Sequence, residues 1–448
     1  RPRLPVLGRG PAGGRGRRVG RPLALPARGI WTPGSSGYRP RRDDPHQRPV
    51  LVVREQADSR LRRGHPWVYP RDVRDPDALA AQSPCLVNVQ ASGGETLGVA
   101  LYNRHGTIAA RMLSQTAYMQ VDTAFFAERL RQCLAYRERL FPEPFYRLAH
   151  GEADGLPGLI VDRYGDHVCL QPSAAALDAL LWPIADAVEE VLRPKVVIIR
   201  QDAPGRRKER APLRREVLRG QYRGPTELRE NGVTFVVDLL DGQKTGWYFD
   251  HRDHRALLAS LAAQAPRVLD LYSYVGGFGV TMAQYGAERV LCVDSSEAAL
   301  ELCERASAMN SVGSRVETRC ADVAEFLEVG DGRGGGSGGG PAGEEFDLVI
   351  LDPPNLGRDR GSVPKAMRMY ERLVCAAAGA CARPGLLFVA SCTFHVGPDE
   401  LLGAVQRGLK WAGRPARIMS TGGQAADHPG HLALPESQYL HSLLLYLS

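Results

Sequence analysis

The sequence VLDLYSYVGGFGV, at residues 268–280, decides the fold class of this chain. It begins with a short apolar run containing Asp270, which is typical of a buried strand, and three glycines then precede another apolar run. A strand, a glycine turn and a helix form the first unit of an open α/β sheet, whose ligands bind at the carboxyl ends of the strands. The stretch therefore predicts a ligand site beside Gly276 and Gly277, where the bare backbone allows close approach.

The residues on either side repeat this alternation of strands and helices. Strand patterns lie at residues 233–240, 290–294, 316–320, 346–351 and 385–390, and helix patterns at 250–262, 296–309, 323–327 and 365–380. Such an order predicts an α/β fold with a doubly wound, parallel-rich sheet and right-handed crossovers. We read residues 330–340, which are glycine and serine almost throughout, as a surface loop inserted into it.

Composition divides the chain further. Residues 1–49 are rich in Gly, Pro and Arg, and the first 42 hold eleven arginines and no acid, so we expect either a disordered tail or a transit-like leader for a plastid or mitochondrion. Short strand patterns predict a small β-rich domain at residues 50–118 and a central α/β domain at 119–230. The parallel-rich sheet domain then occupies residues 231–448.

Charge and cysteine usage exclude several classes of protein. No run approaches the roughly 20 apolar residues of a membrane span, and the nine cysteines form no CxxC pair or zinc spacing, so neither disulfides nor a metal site is expected. The net charge of +7 favours a polyanionic partner. Nine basic residues between 201 and 229 indicate either a solvated loop or a phosphate-binding groove. The oligomeric state, a homodimer included, stays open.

Three acids close three successive strands. Asp294 follows Asp270 by 24 residues, a spacing at which a carboxylate accepts both hydroxyls of a ribose. Asp322 comes at the end of the next strand, where it can accept from an adenine amino group. A glycine turn without a phosphate-binding lysine fits S-adenosylmethionine better than a dinucleotide, and we assign Tyr272 and Ser295 to the same site. Each acid alone is as compatible with a structural cap.

The next two strands carry candidate catalytic groups. Asp352 and Pro353 begin the run DPPN, in which prolines after a strand push a carboxylate outward. Cys392 follows the fifth strand. Carbon 5 of a pyrimidine is a poor nucleophile, but a thiolate that adds at carbon 6 makes it enamine-like and able to take a methyl group. Asp352 can bond ring nitrogen 3 during that attack. The alternative for Cys392 is a buried structural thiol.

Several long, ordered stretches also carry a family resemblance. They are residues 60–69 (RLRRGHPWVY), 151–164 (GEADGLPGLIVDRY), 242–246 (GQKTG) with Asp250 and Arg252, 426–429 (ADHP) and 435–440 (PESQYL). With the motifs above, the chain from residue 50 onward resembles the bacterial large-subunit ribosomal RNA cytosine-C5 methyltransferases that carry an N-terminal PUA domain. Asn355, followed by Leu356, and Val275, where the family has threonine, depart from its pattern.

The resemblance implies a Rossmann-like class I methyltransferase domain that binds S-adenosylmethionine, a PUA-like domain that binds RNA, and Cys392 as the nucleophile. The arginine-rich leader and the glycine insert lie outside the bacterial pattern and suggest a eukaryotic organellar homologue. Two alternatives remain: a methyltransferase acting on the exocyclic amine of guanine or adenine, and a non-catalytic RNA-binding assembly factor. The first would leave Cys392 without a role, and the second would not require the intact acids.

Overall fold

Short apolar runs separated by turn residues fold into four β-sheets in the computed structural model, which describes residues 43–329, 344–357 and 360–448. The first sheet has the order β1-β3-β4-β5-β2, in which β1 is parallel to β3 and the other pairs are antiparallel. Its elements are β1 (Val50–Val52), α1 (Glu55–Arg62), β2 (Trp67–Val68), β3 (Cys85–Gln90), β4 (Thr96–Tyr102) and β5 (Ala110–Ser114).

The second sheet has the order β10-β9-β8-β7-β6 and carries two helices on one face. Its elements are α2 (Thr123–Leu140), β6 (Phe145–His150), β7 (Leu159–Tyr164), β8 (His167–Pro172), α3 (Leu181–Leu192), β9 (Val196–Arg200), α4 (Gly205–Lys208) and β10 (Arg215–Arg219). Helices α2 and α3 bury Phe126, Leu130 and Ile184 against Val161 and Leu170 of the sheet. Before α3, the chain forms a 3-10 turn, Ala175–Leu180, that continues directly into the α-helix.

The basic stretch at residues 201–229 is not a loop throughout, because it contains α4, β10 and part of a further strand. Five of its nine cations form ion pairs, with acids of the same stretch or of other elements. The ion pairs are Arg206–Asp178, Arg214–Glu216, Arg215–Asp202, Arg219–Asp186, Arg219–Glu189 and Arg229–Glu143. Asp186 and Glu189 reach this stretch from α3 across the fold. A phosphate-binding groove here stays a prediction.

Two further sheets complete the chain. A hairpin pairs β11 (Thr226–Glu230) with β12 (Val233–Val237) through Asn231 and Gly232, both with positive φ, as a two-residue hairpin turn requires. The seven-stranded sheet contains β13 (Arg267–Leu271), β14 (Arg289–Asp294), β15 (Val316–Cys320), β16 (Phe346–Leu351), β17 (Cys381–Ser391), β18 (Ala416–Gly422) and β19 (His441–Leu447). Its helices are α5 (Arg252–Ala259), α6 (Gly277–Gln284), α7 (Glu297–Met309), α8 (Val323–Phe326), α9 (Val363–Gly379) and α10 (Pro398–Trp411).

The seven-stranded sheet has the order β15-β14-β13-β16-β17-β19-β18. The first five strands are parallel, and β19 and β18 add an antiparallel edge. This confirms the predicted doubly wound, parallel-rich sheet. One apolar core lies between the sheet and α5, α6 and α7, and another lies on the face covered by α9 and α10.

Local sequence explains several helix starts. The Ser296 hydroxyl accepts a hydrogen bond from the Ala299 N–H and caps α7, and Pro364 lies in the first turn of α9. The predicted glycine insert at residues 330–340 and the first 42 residues of the leader predicted at 1–49 lie outside the described residues. None of the helices in the described ranges is long and apolar enough to cross a bilayer.

Candidate active site

The winding of the large sheet reverses at β13, because β14 lies on one side of it and β16 on the other. Such a switch point opens a crevice at the carboxyl ends of the strands. A cavity of about 340 Å³ lies there. The predicted site residues that line it are Tyr272, Gly277, Asp294, Ser295, Asp352, Pro353 and Cys392.

Asp294 ends β14 and fixes the wall of this cavity. Its Oδ2 accepts a hydrogen bond from the Tyr274 N–H at 2.9 Å, and its Oδ1 accepts one from the Ser296 N–H at 2.9 Å. The residue is only 7% exposed, yet it lines the cavity. A buried carboxylate that accepts two N–H donors is held in a fixed orientation and keeps lone pairs for a ligand hydroxyl.

The loop that Asp294 holds is strained. Tyr272 and Tyr274 have φ angles of +62° and +51°, in the left-handed region that side chains disfavour. Between them, the buried Ser273 hydroxyl lines the cavity and has no hydrogen-bond partner among the described residues. Such strain is typical of a functional loop, and an unpaired hydroxyl at a cavity wall is a site for a polar ligand group.

Asp270 and two of the glycines have a different environment from the one expected. Asp270 lies within β13, where it is 1% exposed and its Oδ2 accepts from the Gly279 N–H at 2.8 Å. Burial raises its pKa to about 8. A Cβ at Gly276 would lie 2.3 Å from Cys303 Sγ, and one at Gly279 would lie 2.3 Å from Cys292 Sγ. These glycines are therefore required for packing against buried thiols, whereas Gly277 is the one that faces the cavity.

Asp322 also lies outside the cavity lining. Its exposed side chain caps α8, because Oδ1 accepts from the Ala324 and Glu325 N–H groups at 2.8 and 3.1 Å. Asp270, Gly276 and Asp322 thus do not line this cavity, and their contact with a cofactor stays a prediction.

Asp352 enters the cavity from the end of β16. Its side chain is 21% exposed, and its Oδ2 lies 3.3 Å from His251 Nε2. Burial and nearby Asp250 raise the pKa of this carboxyl, Lys244 and Arg255 oppose the shift, and the resulting pKa is about 7. The carboxyl group can therefore exchange a proton near neutral pH. The neighbouring Asn355 turns its Oδ1 towards the Gly357 N–H at 3.0 Å.

Cys392 lies at the end of β17, the strand next to β16, and lines the same cavity as Asp352. Burial raises the pKa of its thiol to about 11, with Asp352 and Asp250 contributing in the same direction, whereas the Lys244 ammonium lowers it. The thiol is protonated at neutral pH, so it needs a base before it can act as a nucleophile.

Lys244 and His251 are functional candidates to which the sequence assigned no role. Lys244 has a φ of +46°, and its Nζ lies 3.9 Å from the centroid of the Tyr248 ring and 3.6 Å from Asp250 Oδ2. The GQKTG hairpin and the following helix bring both residues over the strand ends. In the sequence, the one indication of a role was the unusual length of the polar GQKTG motif. No spacing rule connects this motif with the strands that end at Asp352 and Cys392, more than 100 residues later.

A second cavity, of about 660 Å³, meets the first at Cys392. The two share Gln243, Lys244, Tyr248, Asn355 and Cys392. Arginines from the second sheet line the outer part, and each has a carboxylate partner: Arg147 pairs with Asp162, and Arg200 and Arg215 pair with Asp202. The thiol can therefore be reached from two sides.

The first cavity fits S-adenosylmethionine chemically. The carboxylates of Asp294 and Asp352 suit a cationic ligand that also carries ribose hydroxyls, and the rings of Tyr272, Tyr248 and Phe278 offer apolar surface to an adenine. The unpaired Ser273 hydroxyl provides a further polar contact. The second cavity leaves room for the group that accepts the methyl.

Comparisons with known proteins agree with this assignment. Residues 51–115 match the PUA-like domain, and residues 206–411 match the S-adenosylmethionine-dependent methyltransferase family. A candidate S-adenosylmethionine-dependent methyltransferase from Streptococcus mutans has the same fold, with a TM-score of 0.72 and 19% identity over 89% of this chain and 100% of that one. A related solved structure holds SAH and has a TM-score of 0.73.

Two bacterial relatives extend over nearly the whole chain. A ribosomal RNA large subunit methyltransferase from Deinococcus radiodurans is 32% identical over 408 residues, which is 89% of this chain and 97% of that protein. Ribosomal RNA large subunit methyltransferase I from Tolumonas auensis is 31% identical over 88% of this chain and 98% of that protein. The chain is an S-adenosylmethionine-dependent methyltransferase and belongs to the ribosomal RNA large subunit methyltransferase family, which joins a PUA-like domain to a methyltransferase domain.

Proposed function

We propose that this chain methylates carbon 5 of a cytosine in large-subunit ribosomal RNA through a covalent adduct with Cys392. The observation that carries the proposal is the placement of Cys392 and Asp352 at the ends of adjacent strands, facing one cavity. A thiol beside a carboxyl group that titrates near neutrality is the pair that nucleophilic addition to a pyrimidine needs. Methylation of an exocyclic amine would use neither the thiol nor its approach from a second cavity.

The proton balance follows from the two pKa values. With a thiol pKa of about 11 and an Asp352 pKa of about 7, ionised Asp352 accepts the proton of Cys392 as the sulfur–carbon 6 bond forms. Asp352 then delivers that proton to ring nitrogen 3. The bound cofactor supplies the methyl group to carbon 5. Loss of the carbon 5 proton restores the ring double bond and expels Cys392 as a thiolate, to which the nitrogen 3 proton returns.

RNA as the substrate is supported by the relatives and by the second cavity. The relatives are named as ribosomal RNA methyltransferases. The region that matches the PUA-like domain, residues 51–115, coincides with the domain predicted to bind RNA at residues 50–118. The second cavity presents Arg200 and Arg215 around a route to Cys392. Both guanidinium groups have acid partners, so we assign to this cavity the target nucleotide itself and not an extended phosphate backbone.

The experiment uses tritiated S-adenosylmethionine and total ribosomal RNA that lacks its native modifications. Wild type should produce labelled 5-methylcytosine, and both Cys392→Ala and Cys392→Ser should abolish it. Cys320→Ala, which removes an exposed thiol outside the cavities, serves as the matched control. A substrate containing 5-fluorocytosine should trap a covalent complex with wild type, because fluorine at carbon 5 cannot leave as a proton does.

Two results would count against the proposal. Methylation that persists in the Cys392 variants would favour an exocyclic amine as the acceptor. Cofactor binding without transfer to any ribosomal RNA would favour a non-catalytic assembly factor.

We also propose, from the composition of residues 1–42 alone, that the chain is imported into a plastid or mitochondrion. Residues 1–49 fused to a fluorescent protein should direct it to one of these organelles. A diffuse signal in the cytosol would contradict this proposal without touching the catalytic one.

A further inference from the structure

Helix α4 and the residues after it place three cations on the surface. Arg207, Lys208 and Arg210 are exposed, and none of them forms an ion pair with the residues that the structure describes. Arg206, in the same turn, is buried and pairs with Asp178 at 2.8 Å. The segment therefore directs one basic side chain into the fold and leaves the other three free to bind an anion.

The acid within this segment does not oppose its cations at the surface. Glu209 is 8% exposed, and its Oε2 accepts hydrogen bonds from the Ala175 N–H at 2.7 Å and from Asn103 Nδ2 at 3.3 Å. Its Oε1 lies 3.4 Å from a guanidinium nitrogen of Arg111. Because the carboxylate is held inside the fold by these partners, the segment presents a positive charge to solvent.

A loop of the PUA-like domain packs beside these cations. The buried Asn103 side chain donates from Nδ2 to the Glu209 carbonyl oxygen at 2.9 Å, which fixes the loop between β4 and β5 against the end of α4. Arg104 and His105 of this loop are exposed. Partial desolvation lowers the pKa of His105, and the charges of Arg210 and Arg104 lower it further. His105 thus lies within electrostatic reach of two arginines, one from each domain.

Arg104, Arg207, Lys208 and Arg210 together form what we call the cationic patch. Arg104 has an acid partner, Asp77, whose Oδ1 lies 3.1 Å from the guanidinium group. The Asp77 side chain is 85% exposed, and an ion pair so open to water is weak. A phosphate can therefore replace Asp77, and it meets no such competitor at the other three cations.

The cationic patch lies at the rim of the second cavity. Ala203 and Pro204, directly before α4, line that cavity together with Cys392. Consecutive Cα atoms are 3.80 Å apart, so the Cα of Arg207 is at most about 11 Å from that of Pro204. Arg200 and Arg215 of the cavity wall share the Asp202 carboxylate, whereas the cations outside the rim keep their charge for a ligand.

We propose that the cationic patch binds the phosphates of the RNA strand next to the target nucleotide, and so leads that strand from the second cavity to the PUA-like domain. The proposal rests on the proposed function, because it takes RNA as the substrate and the second cavity as the place of the target base. Guanidinium and ammonium groups bind phosphate oxygens by charge-assisted hydrogen bonds and release counterions as they do so. Such contacts fix the position of a strand without reading its sequence.

The first test measures binding and needs no methyl transfer. The triple variant Arg207→Gln, Lys208→Gln, Arg210→Gln should bind transcribed large-subunit ribosomal RNA more weakly than wild type, with a weaker dependence on salt. Each phosphate contact to a single strand contributes about 0.7 to the slope of log affinity against log salt concentration. The loss of three contacts should therefore reduce that slope by about 2 and weaken binding at about 0.15 M salt by about 50-fold.

A matched control removes the same charge elsewhere. Arg305, Lys410 and Arg417 are exposed on α7, α10 and β18 and have no ion-pair partner among the described residues. The triple variant Arg305→Gln, Lys410→Gln, Arg417→Gln should keep the wild-type slope to within about 0.5. Equal losses in the two triple variants would show a general effect of net charge and would overturn the proposal, as would a wild-type slope in the patch variant. The affinity for SAH, measured in both variants, checks that each remains folded.

The second test asks whether the patch meets the strand beside the target. Once the labelled cytosine is located, short RNAs are made with one uncharged methylphosphonate linkage at each position around it. Linkages on one side of the cytosine should weaken binding to wild type by about fourfold each, and should have much less effect on the patch variant. Penalties that are the same in wild type and in the patch variant at every position would refute the proposed path.

The binding test separates failure of this proposal from failure of the proposed function. A patch variant that keeps the wild-type salt dependence, while wild type forms 5-methylcytosine, would refute the patch alone. A wild type that never methylates ribosomal RNA, but binds it with a salt dependence that falls in the patch variant and not in the control, would refute the proposed chemistry and support the patch.

Discussion

Asp294→Asn is the most informative change at the cofactor site, because Asp294 has two separable tasks. Its two oxygens accept the N–H groups of Tyr274 and Ser296, each at 2.9 Å, and its remaining lone pairs face the cavity. Asparagine offers one oxygen instead of two. Its NH₂ group must therefore point at one of these backbone donors or at the ligand.

The expected size of the effect follows from those contacts. One buried N–H left facing another donor costs about 1–3 kcal/mol, and the loss of a charge-assisted hydrogen bond to a ribose hydroxyl costs about 1.5–3 kcal/mol. The first cost lowers the free energy of unfolding and the order of the loop, and the second cost affects the free energy of ligand binding alone. The second cost alone should therefore weaken the affinity for S-adenosylmethionine by about 10- to 150-fold.

The assay compares ligands as well as variants. Isothermal titration with SAH and with its 2′-deoxy and 3′-deoxy analogues should show that each missing hydroxyl weakens binding to wild type by about 1–2 kcal/mol. In Asp294→Asn most of that difference should disappear, because the carboxylate that recognised the hydroxyl is gone. Asp322→Asn, at the exposed cap of α8, should keep the full difference. If the deoxy penalty survives in Asp294→Asn, Asp294 only holds the loop and the ribose assignment is wrong.

Three further changes test the surroundings of the site. Gly279→Ala should destabilise the fold by about 1–3 kcal/mol, because its Cβ would lie 2.3 Å from Cys292 Sγ. Urea unfolding should show that Cys292→Ala in the same chain recovers part of this loss. If the losses of unfolding free energy of the two single variants were strictly additive, the packing argument would be contradicted. Asp270 has a folded pKa of about 8, above its unfolded value, so the stability that it contributes at low pH is lost as the pH rises towards 8. The unfolding free energy of Asp270→Asn, taken relative to that of wild type, should therefore rise by about 2–3 kcal/mol as the pH is raised from 6 to 9. A difference that stays constant over this range would show that the Asp270 carboxyl is ionised throughout. Lys244→Met should slow the alkylation of Cys392 by iodoacetamide by about threefold at pH 8, as measured by peptide mass spectrometry. The effect is modest because the Lys244 side chain is 39% exposed. An unchanged alkylation rate would show that Lys244 does not act on the thiol.

The large sheet and the cavity wall were predictable because their signals are local. Buried strands of four to six apolar residues, each followed by a helix, identify the sheet, and a carboxylate or thiol directly after a strand must lie at its carboxyl edge. This reasoning placed Asp294, Asp352 and Cys392 correctly at the cavity. It could not show which atoms the three glycines face, since the partners Cys292 and Cys303 come from the next strand and helix.

What the sequence could not show are contacts between distant elements. His251 and His254 are three residues apart, a spacing that puts two side chains on one face of a helix, but nothing in it indicates that Asp352 and Ser442 lie at either end. Some acid partners of the arginines in residues 201–229 were not predictable for the same reason, because they approach through the tertiary fold. Local pattern identifies elements, whereas charge compensation depends on how they pack.

The raised pKa of Cys392 is compatible with its proposed role because of where the thiol lies. A thiolate formed in advance at the junction of two cavities would react with any electrophile or oxidant that entered from either side. Burial and two carboxylates instead keep the sulfur protonated, against the Lys244 ammonium and a backbone hydrogen bond, which favour its ionisation. A cationic ligand in the first cavity adds a second positive charge beside it, and a pyrimidine in the second cavity provides the acceptor whose nitrogen 3 takes the proton. In the proposed reaction the thiol would therefore become nucleophilic only when both cavities are filled, and adduct formation would be restricted to the ternary complex in which methyl transfer can follow.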